Sequence, residues 1–139
     1  MGLSLKLRPN ERLIVNGCVM RNGPRRTEIE IETYADVLRG DELLDAETAG
    51  TPTRLLGYFI QICLVSKNDR AAYLPKIQAI ADDLRGVYLA ERATILDAAL
   101  SAVAQNEFYA AWRALRPLIE REDQLIRVLE NQSQEASHD

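Results

Sequence analysis

Arg12–Met20, RLIVNGCVM, decides the fold. Two runs of strand-forming residues, Leu13-Ile14-Val15 and Cys18-Val19-Met20, flank Asn16-Gly17. A two-residue type I′ turn needs positive φ at both central positions, which asparagine and glycine tolerate best, so the stretch reads as a β-hairpin. Outward from it the period stays at two. Leu3, Leu5 and Leu7 alternate with Ser4, Lys6 and Arg8, while Ile29 and Ile31 alternate with Glu28, Glu30 and Glu32, the pattern of strands with one buried and one wet face. Pro9-Asn10-Glu11 is a turn, and Asn22-Gly23-Pro24 ends the strand before it. Four strands are expected, at about residues 3–8, 12–15, 18–21 and 27–33.

Tyr34 to Gly50 is acidic and irregular, and reads as a connector with a short turn at Ala35-Asp36-Val37-Leu38. At Thr51-Pro52 the pattern changes: threonine suits an N-cap, and proline at the first helical position loses nothing by lacking an N–H. One helix is expected at about 52–65 and a second after Ser66-Lys67-Asn68-Asp69, with Pro75 kinking it or delaying its start. Its stripe is Tyr73, Ile77, Ile80 or Ala81, Leu84 and Tyr88. A third, about 91–104, presents Ile95, Leu96, Ala99, Leu100 and Val103. The fourth, about 107–130, carries Phe108, Trp112, Leu115, Ile119, Ile126 and Leu129, interrupted by Glu122 and bent at Pro117. The expected architecture is α+β: a small N-terminal antiparallel β-sheet of hairpins followed by a bundle of about four helices. Residues 1–50 form the basic hairpin domain with its acidic connector, 51–130 the helical domain, and the polar stretch 131–139 a disordered tail.

A chain of 139 residues, 47% hydrophobic, suffices for one compact domain or two small lobes sharing an interface. The longest apolar run, Leu55 to Val65, holds Gly57 and Gln61 and falls short of the ~20 residues of a membrane span, so it reads as a buried helix. The alternating N-terminus is unlike a signal peptide, and the expected location is the cytoplasm. Cys18 and Cys63 sit among apolar neighbours without CxxC spacing and read as reduced core thiols, a single disulfide staying open.

Catalytic readings find little support. The one histidine, His138, lies in the tail, which leaves a His-based triad or metal site without a scaffold. Neither GxGxxG nor GxxxxGK[ST] occurs. Acid pairs such as Asp82-Asp83 and Glu122-Asp123 point about 100° apart on a helix and seldom converge on one atom. No catalytic residue, metal or cofactor is expected.

Charge is more informative. Residues 1–26 carry six cations, Lys6, Arg8, Arg12, Arg21, Arg25 and Arg26, against Glu11 alone, a net of +5 in a chain of net charge -4. Residues 27–50 carry Arg39 against eight acids, a net of -7. Arginine favours phosphate partners, because its planar fork bonds bidentately and stacks on bases. On charge alone the ordinary reading is a salt-bridged sheet face, with Lys6 and Arg8 opposite Glu28, Glu30 and Glu32. Arg21, Arg25 and Arg26 fit that reading less well, since turns project them past the strands. No aromatic residue precedes Tyr34, so RNA contact here would rest on arginines and backbone groups, without a stacking platform. In the helical part, Tyr58 and Phe59, and Phe108, Tyr109 and Trp112, serve either core packing or a partner groove. Tyr109, Arg113 and Arg116 are the candidate partner-binding residues.

The stretches LSLKLRPNERLIVNGCVMRNG with Arg26 after it, VLRGDEL at 37–43, TPTRLLGYFIQICL at 51–64 and EFYAAWRALRPLIERED at 107–123 together resemble the FlbT family, the post-transcriptional regulators of flagellin synthesis. The resemblance covers most of the chain in order. It differs from the family pattern in Asn10, where the turn commonly has glycine, and in Pro117. It implies a regulator acting on the 5′ leader of flagellin mRNA, repressing translation and promoting decay, in partnership with the flagellar protein FlaF. It does not locate the RNA site. The residues themselves place that site on the basic hairpins, with Arg21, Arg25 and Arg26 first and Arg12, Arg8 and Lys6 second. The alternative is an adaptor that engages flagellin or a flagellar chaperone without touching RNA, and homo-oligomerisation is open to either.

Overall fold

A computed structural model describes residues 2–137. Five strands precede four helices: β1 (Leu3–Leu7), β2 (Arg12–Val15), β3 (Cys18–Arg21), β4 (Thr27–Ile31), β5 (Val37–Arg39), α1 (Pro52–Val65), α2 (Arg70–Arg85), α3 (Ala90–Ala104) and α4 (Phe108–Ser137). The α+β reading holds, with the strands divided between two antiparallel sheets.

Asn16 and Gly17 both have positive φ, 49° and 79°, and close the hairpin that sets Leu13 opposite Met20 and Val15 opposite Cys18. Gly17 is also required by space, because a Cβ there would stand 2.8 Å from the Leu64 carbonyl oxygen at the end of α1. β2 is the strand the fold is built around. Its Leu13 packs with Leu5 and Leu7 of β1, while the next residue, Ile14, points the other way into the helical core with Leu38. Three layers result: the β1–β4 pair, the β3–β2–β5 sheet and the helices.

β5 corrects the turn expected at residues 35–38. Leu38 is wholly buried and pairs with Ile14, and the Asn16 backbone and side chain bond both sides of Asp36 to hold the strand in place. Three residues among acids carry too short an alternation to be read locally. Cys18 is a second correction: the thiol expected in a core is exposed, like all of the edge strand β3, whereas Cys63 is buried; both are free.

α4 is the axis of the bundle, burying Phe108, Ala111, Trp112, Leu115, Leu118 and Ile119 against α1 and α3. A fully buried side chain of this size contributes about 1.5–3 kcal/mol. α1 approaches closely at Gly57, where a Cβ would meet Trp112 and Ile119 at 3.0 Å. The polar residues inside α1 have fixed tasks. Gln61 donates to the Glu42 carbonyl (2.7 Å) and accepts from the Leu44 N–H (2.9 Å), tying the connector to the helix. Thr51 caps α1 by accepting from the Arg54 N–H and donates to Glu122, while Arg54 pairs with Asp123. Glu122 thus breaks the apolar stripe of α4 because it holds the start of α1.

Pro75 lies within α2 and Pro117 within α4, and both helices run through unbroken. α4 continues through the polar stretch as far as Ser137. No proline or glycine stops the helix there, and adding residues to an existing helix is far easier than starting one. His138 and Asp139 lie outside the described residues.

Candidate nucleic-acid interface

Four strand ends meet at the side of the sheets remote from the Asn16-Gly17 turn: β1 finishes at Leu7, β2 starts at Arg12, β3 finishes at Arg21 and β4 starts at Thr27. The arginines therefore do not gather on two tight hairpin turns. Asn16-Gly17 packs on α1, and the basic end is built by the Pro9–Glu11 turn and the Asn22–Arg26 loop.

Asn22 joins these two segments. Its side-chain amide donates to the carbonyls of Arg8 (2.7 Å) and Arg25 (2.9 Å), its N–H donates to the Glu11 carbonyl, and the Asn10 N–H donates to the Gly23 carbonyl. Sequence reading treats Asn22 only as a turn former, because its carbonyl partners come together only after β1 and β4 pair.

Glu11, the one acid among residues 1–26, faces inward. It accepts from Arg39 Nε (3.0 Å) and Nη2 (3.2 Å) and from the Arg8 N–H (3.0 Å). The Arg39 side-chain bonds, followed by the Arg8 N–H, hold its carboxyl below the ordinary 4.5 despite burial. Arg39 also donates to the Lys6 carbonyl. Glu11 therefore does little to neutralise the surface.

Arg12 and Arg21 are directly opposed across the hairpin, a like-charge pair that costs stability. Among the described residues, no carboxylate lies within 4.0 Å of the side-chain nitrogens of Arg12, Arg21, Arg25, Arg26 or Lys6. Arg8 makes only a long contact of 3.8 Å to Glu11 and stays 69% exposed. Lys6, Arg8 and Arg26 line one shallow depression with Leu7, Thr27 and Glu28. Lys6 is the least available of the set, since Glu28 stands opposite it on β4 and Ser4 donates to that carboxylate. Glu28 thus stands across from Lys6 without forming an ion pair, and the arginines at the strand ends have no carboxylate in contact, Asp45 acting on Arg12 only from beyond 4.0 Å.

The candidate partner residues sit elsewhere. Tyr109 reaches the Val37 carbonyl (3.4 Å) and Arg116 spans Glu42 and Glu120 (both 2.9 Å), so these two join α4 to the connector. Arg113 remains exposed. Near it is a groove missed by sequence reading, lined by Tyr34, Asp36, Arg70, Asn106 and Tyr109 among others. Tyr34 is 83% exposed; its hydroxyl donates to Asp36, which raises its pKa above 10.0.

The arrangement defines a class: a small α+β protein with an arginine-rich loop cluster at the free end of its sheets and, among the described residues, no group of three metal-ligating side chains. No described helix is long and apolar enough to cross a membrane. The chain belongs to the FlbT family: residues 3–126 match the family model described as "Flagellar protein FlbT". It is 33% identical over 126 residues to "Probable flagellum biosynthesis repressor protein FlbT" of Rhodopseudomonas palustris (strain TIE-1), covering 91% of this chain and 98% of the relative. It is 29% identical to the protein of the same description from Caulobacter sp. (strain K31), covering 91% and 97%. To "Flagellum biosynthesis repressor protein FlbT" of Caulobacter vibrioides it is 26% identical, covering 91% and 90%. No solved structure matches the chain.

Proposed function

We propose that this chain is a cytoplasmic, non-catalytic regulator of flagellin synthesis that holds the 5′ leader of a flagellin message on its basic end and represses translation or promotes decay of the message. The repressor names of its relatives support the regulatory part. The observation that carries the RNA part is that Arg12, Arg21, Arg25 and Arg26 stand at the same end of the sheets with no carboxylate within 4.0 Å among the described residues, in a chain whose net charge is -4. Guanidinium forks bond phosphates bidentately, and the Asn22 bonds hold the carrying loops in place before RNA arrives. With no aromatic residue before Tyr34, this end grips phosphates and reads shape, without stacking bases.

Fluorescence anisotropy with a flagellin leader RNA and a shuffled control, across a salt series, tests the reading. Four phosphate contacts give a log–log salt slope of about -3 for single-stranded RNA. Arg21→Ala/Arg25→Ala/Arg26→Ala should flatten that slope by about 2 and abolish the preference for the leader. Correctly folded wild type that binds neither RNA at any salt sinks the RNA part.

A second reading, an adaptor that engages flagellin or a flagellar chaperone without touching RNA, is favoured by the bare Tyr34 ring beside Tyr109 and Arg113. In that case Arg113→Glu abolishes binding of the purified partner, and the triple arginine variant does not.

A further inference from the structure

α4 outruns the bundle. Arg121 with Glu91, Glu122 with the α1 cap Thr51 and Asp123 with Arg54 tie it to the rest of the bundle. Past them every residue from 124 to 134 is exposed, including Leu125 (53%), Ile126 (37%), Val128 (50%) and Leu129 (55%). At 3.6 residues per turn these four share an arc of about 160°, and Asp123, Arg127, Glu130 and Asn131 fill the opposite side. An amphipathic helix end of this length is marginal in water by itself, because most helical stability comes from packing the apolar face.

We propose that two copies of the chain cover this face for each other, as an antiparallel pair of α4 ends around a two-fold axis beside Arg127. The face is self-complementary in that register. Leu125 meets Leu129 of the second copy, Ile126 meets Ile126, and Val128 meets Val128. One layer outward, Gln132 meets Glu122, an amide donor against a carboxylate. A parallel pair in register would set Glu122 against Glu122, two like charges at one layer. The groove between the start of α3 and α4, lined by Tyr88, Arg92, Leu118, Arg121, Glu122 and Leu125, continues this face and receives the far end of the second helix.

The size of the face indicates how tightly the copies hold. Eight large aliphatic side chains with their flanks bury on the order of 1,000 Å² in total, the low end for a specific interface, so the dimer dissociates in the micromolar range. The start of α4 packs on β5 and the connector, which puts the paired ends far from the sheets. If the RNA reading above holds, the dimer carries two basic ends and gains avidity for a long leader; the dimer itself does not depend on that reading.

Sedimentation velocity of the full chain from about 2 to about 200 µM reads the equilibrium. Wild type should shift from monomer to dimer across this range, and Leu125→Asp/Leu129→Asp should remain monomeric throughout while keeping the cooperative thermal unfolding of the bundle. In a Cys18→Ser background, mild oxidation should cross-link Val128→Cys to itself and leave Arg127→Cys, on the outer face, uncoupled. Three outcomes overturn the proposal: wild type that is monomeric at every concentration, a dimer that survives the double aspartate change, or equal cross-linking at positions 127 and 128. A face covered only when RNA or another protein is added counts with the first.

Discussion

Arginine does opposite things at the seams of the helices and at the basic end of the sheets. Arg54, Arg85, Arg116 and Arg121 each reach a carboxylate on another element, Asp123, Asp97, Glu42 and Glu91, and so join segments together. Arg12, Arg21, Arg25 and Arg26 reach none among the described residues, and two of them face each other. Net charge predicts neither arrangement. What differs is where the acids go: on the helices they sit within a turn or across a seam from these four arginines, and at the basic end Glu11 is turned inward onto Arg39 while Glu28 shares a depression with Arg8 and Arg26 without pairing with Arg26.

The comparison breaks first at Glu11. Glu11→Ala leaves Arg39 and the Arg8 N–H without their acceptor and should cost about 3 kcal/mol in urea unfolding. The pH dependence has a definite sign. Because the folded carboxyl titrates below 4.5, its contribution is complete above that pH and is lost as pH falls from 4.5 through the folded value, where the native state also takes up the proton. Glu11→Gln should therefore be less stable than wild type at pH 7 and show a shallower loss of stability on acidification below 4.5.

The arginine end comes next. Arg21→Ala/Arg25→Ala/Arg26→Ala should lower leader affinity about 100-fold, or ~2.7 kcal/mol, at unchanged melting temperature. A large fall in melting temperature instead would make these arginines structural, like those of the helices. Arg54→Ala, at the α1–α4 seam, should cost about 1 kcal/mol in urea unfolding and leave RNA binding alone. The smallest effect belongs to Arg85→Ala, whose exposed pairs with Asp97 and Asp82 should be worth less than ~0.5 kcal/mol in the same assay.

Much of the fold was legible without coordinates, and particular residues show why. Asn16-Gly17 announces its turn through φ preferences that belong to the two residues themselves. Thr51-Pro52 announces the start of α1 in the same local way, and the stripe from Phe108 to Ile119 follows from helix geometry alone. The candidate site was legible in composition but not in shape. Arg21, Arg25 and Arg26 could be picked out, yet the end they occupy and the inward turn of Glu11 depend on β1 pairing with β4 around the intervening hairpin.

The sequence by itself determined the hairpin, the strand-to-helix boundary at residue 51, the buried faces of the helices and the excess of arginine near the N-terminus, because each rests on interactions between residues a few positions apart. Only the tertiary structure decided that Leu38 completes a sheet, that Cys18 lies bare on an edge, that Glu122 holds the cap of α1, and that the far end of α4 carries an uncovered apolar face. The pairing of Leu38 with Ile14 and of Glu122 with Thr51 joins residues far apart in the chain, and all four outcomes are set by the packing of the whole chain, which leaves no periodic trace in the local sequence.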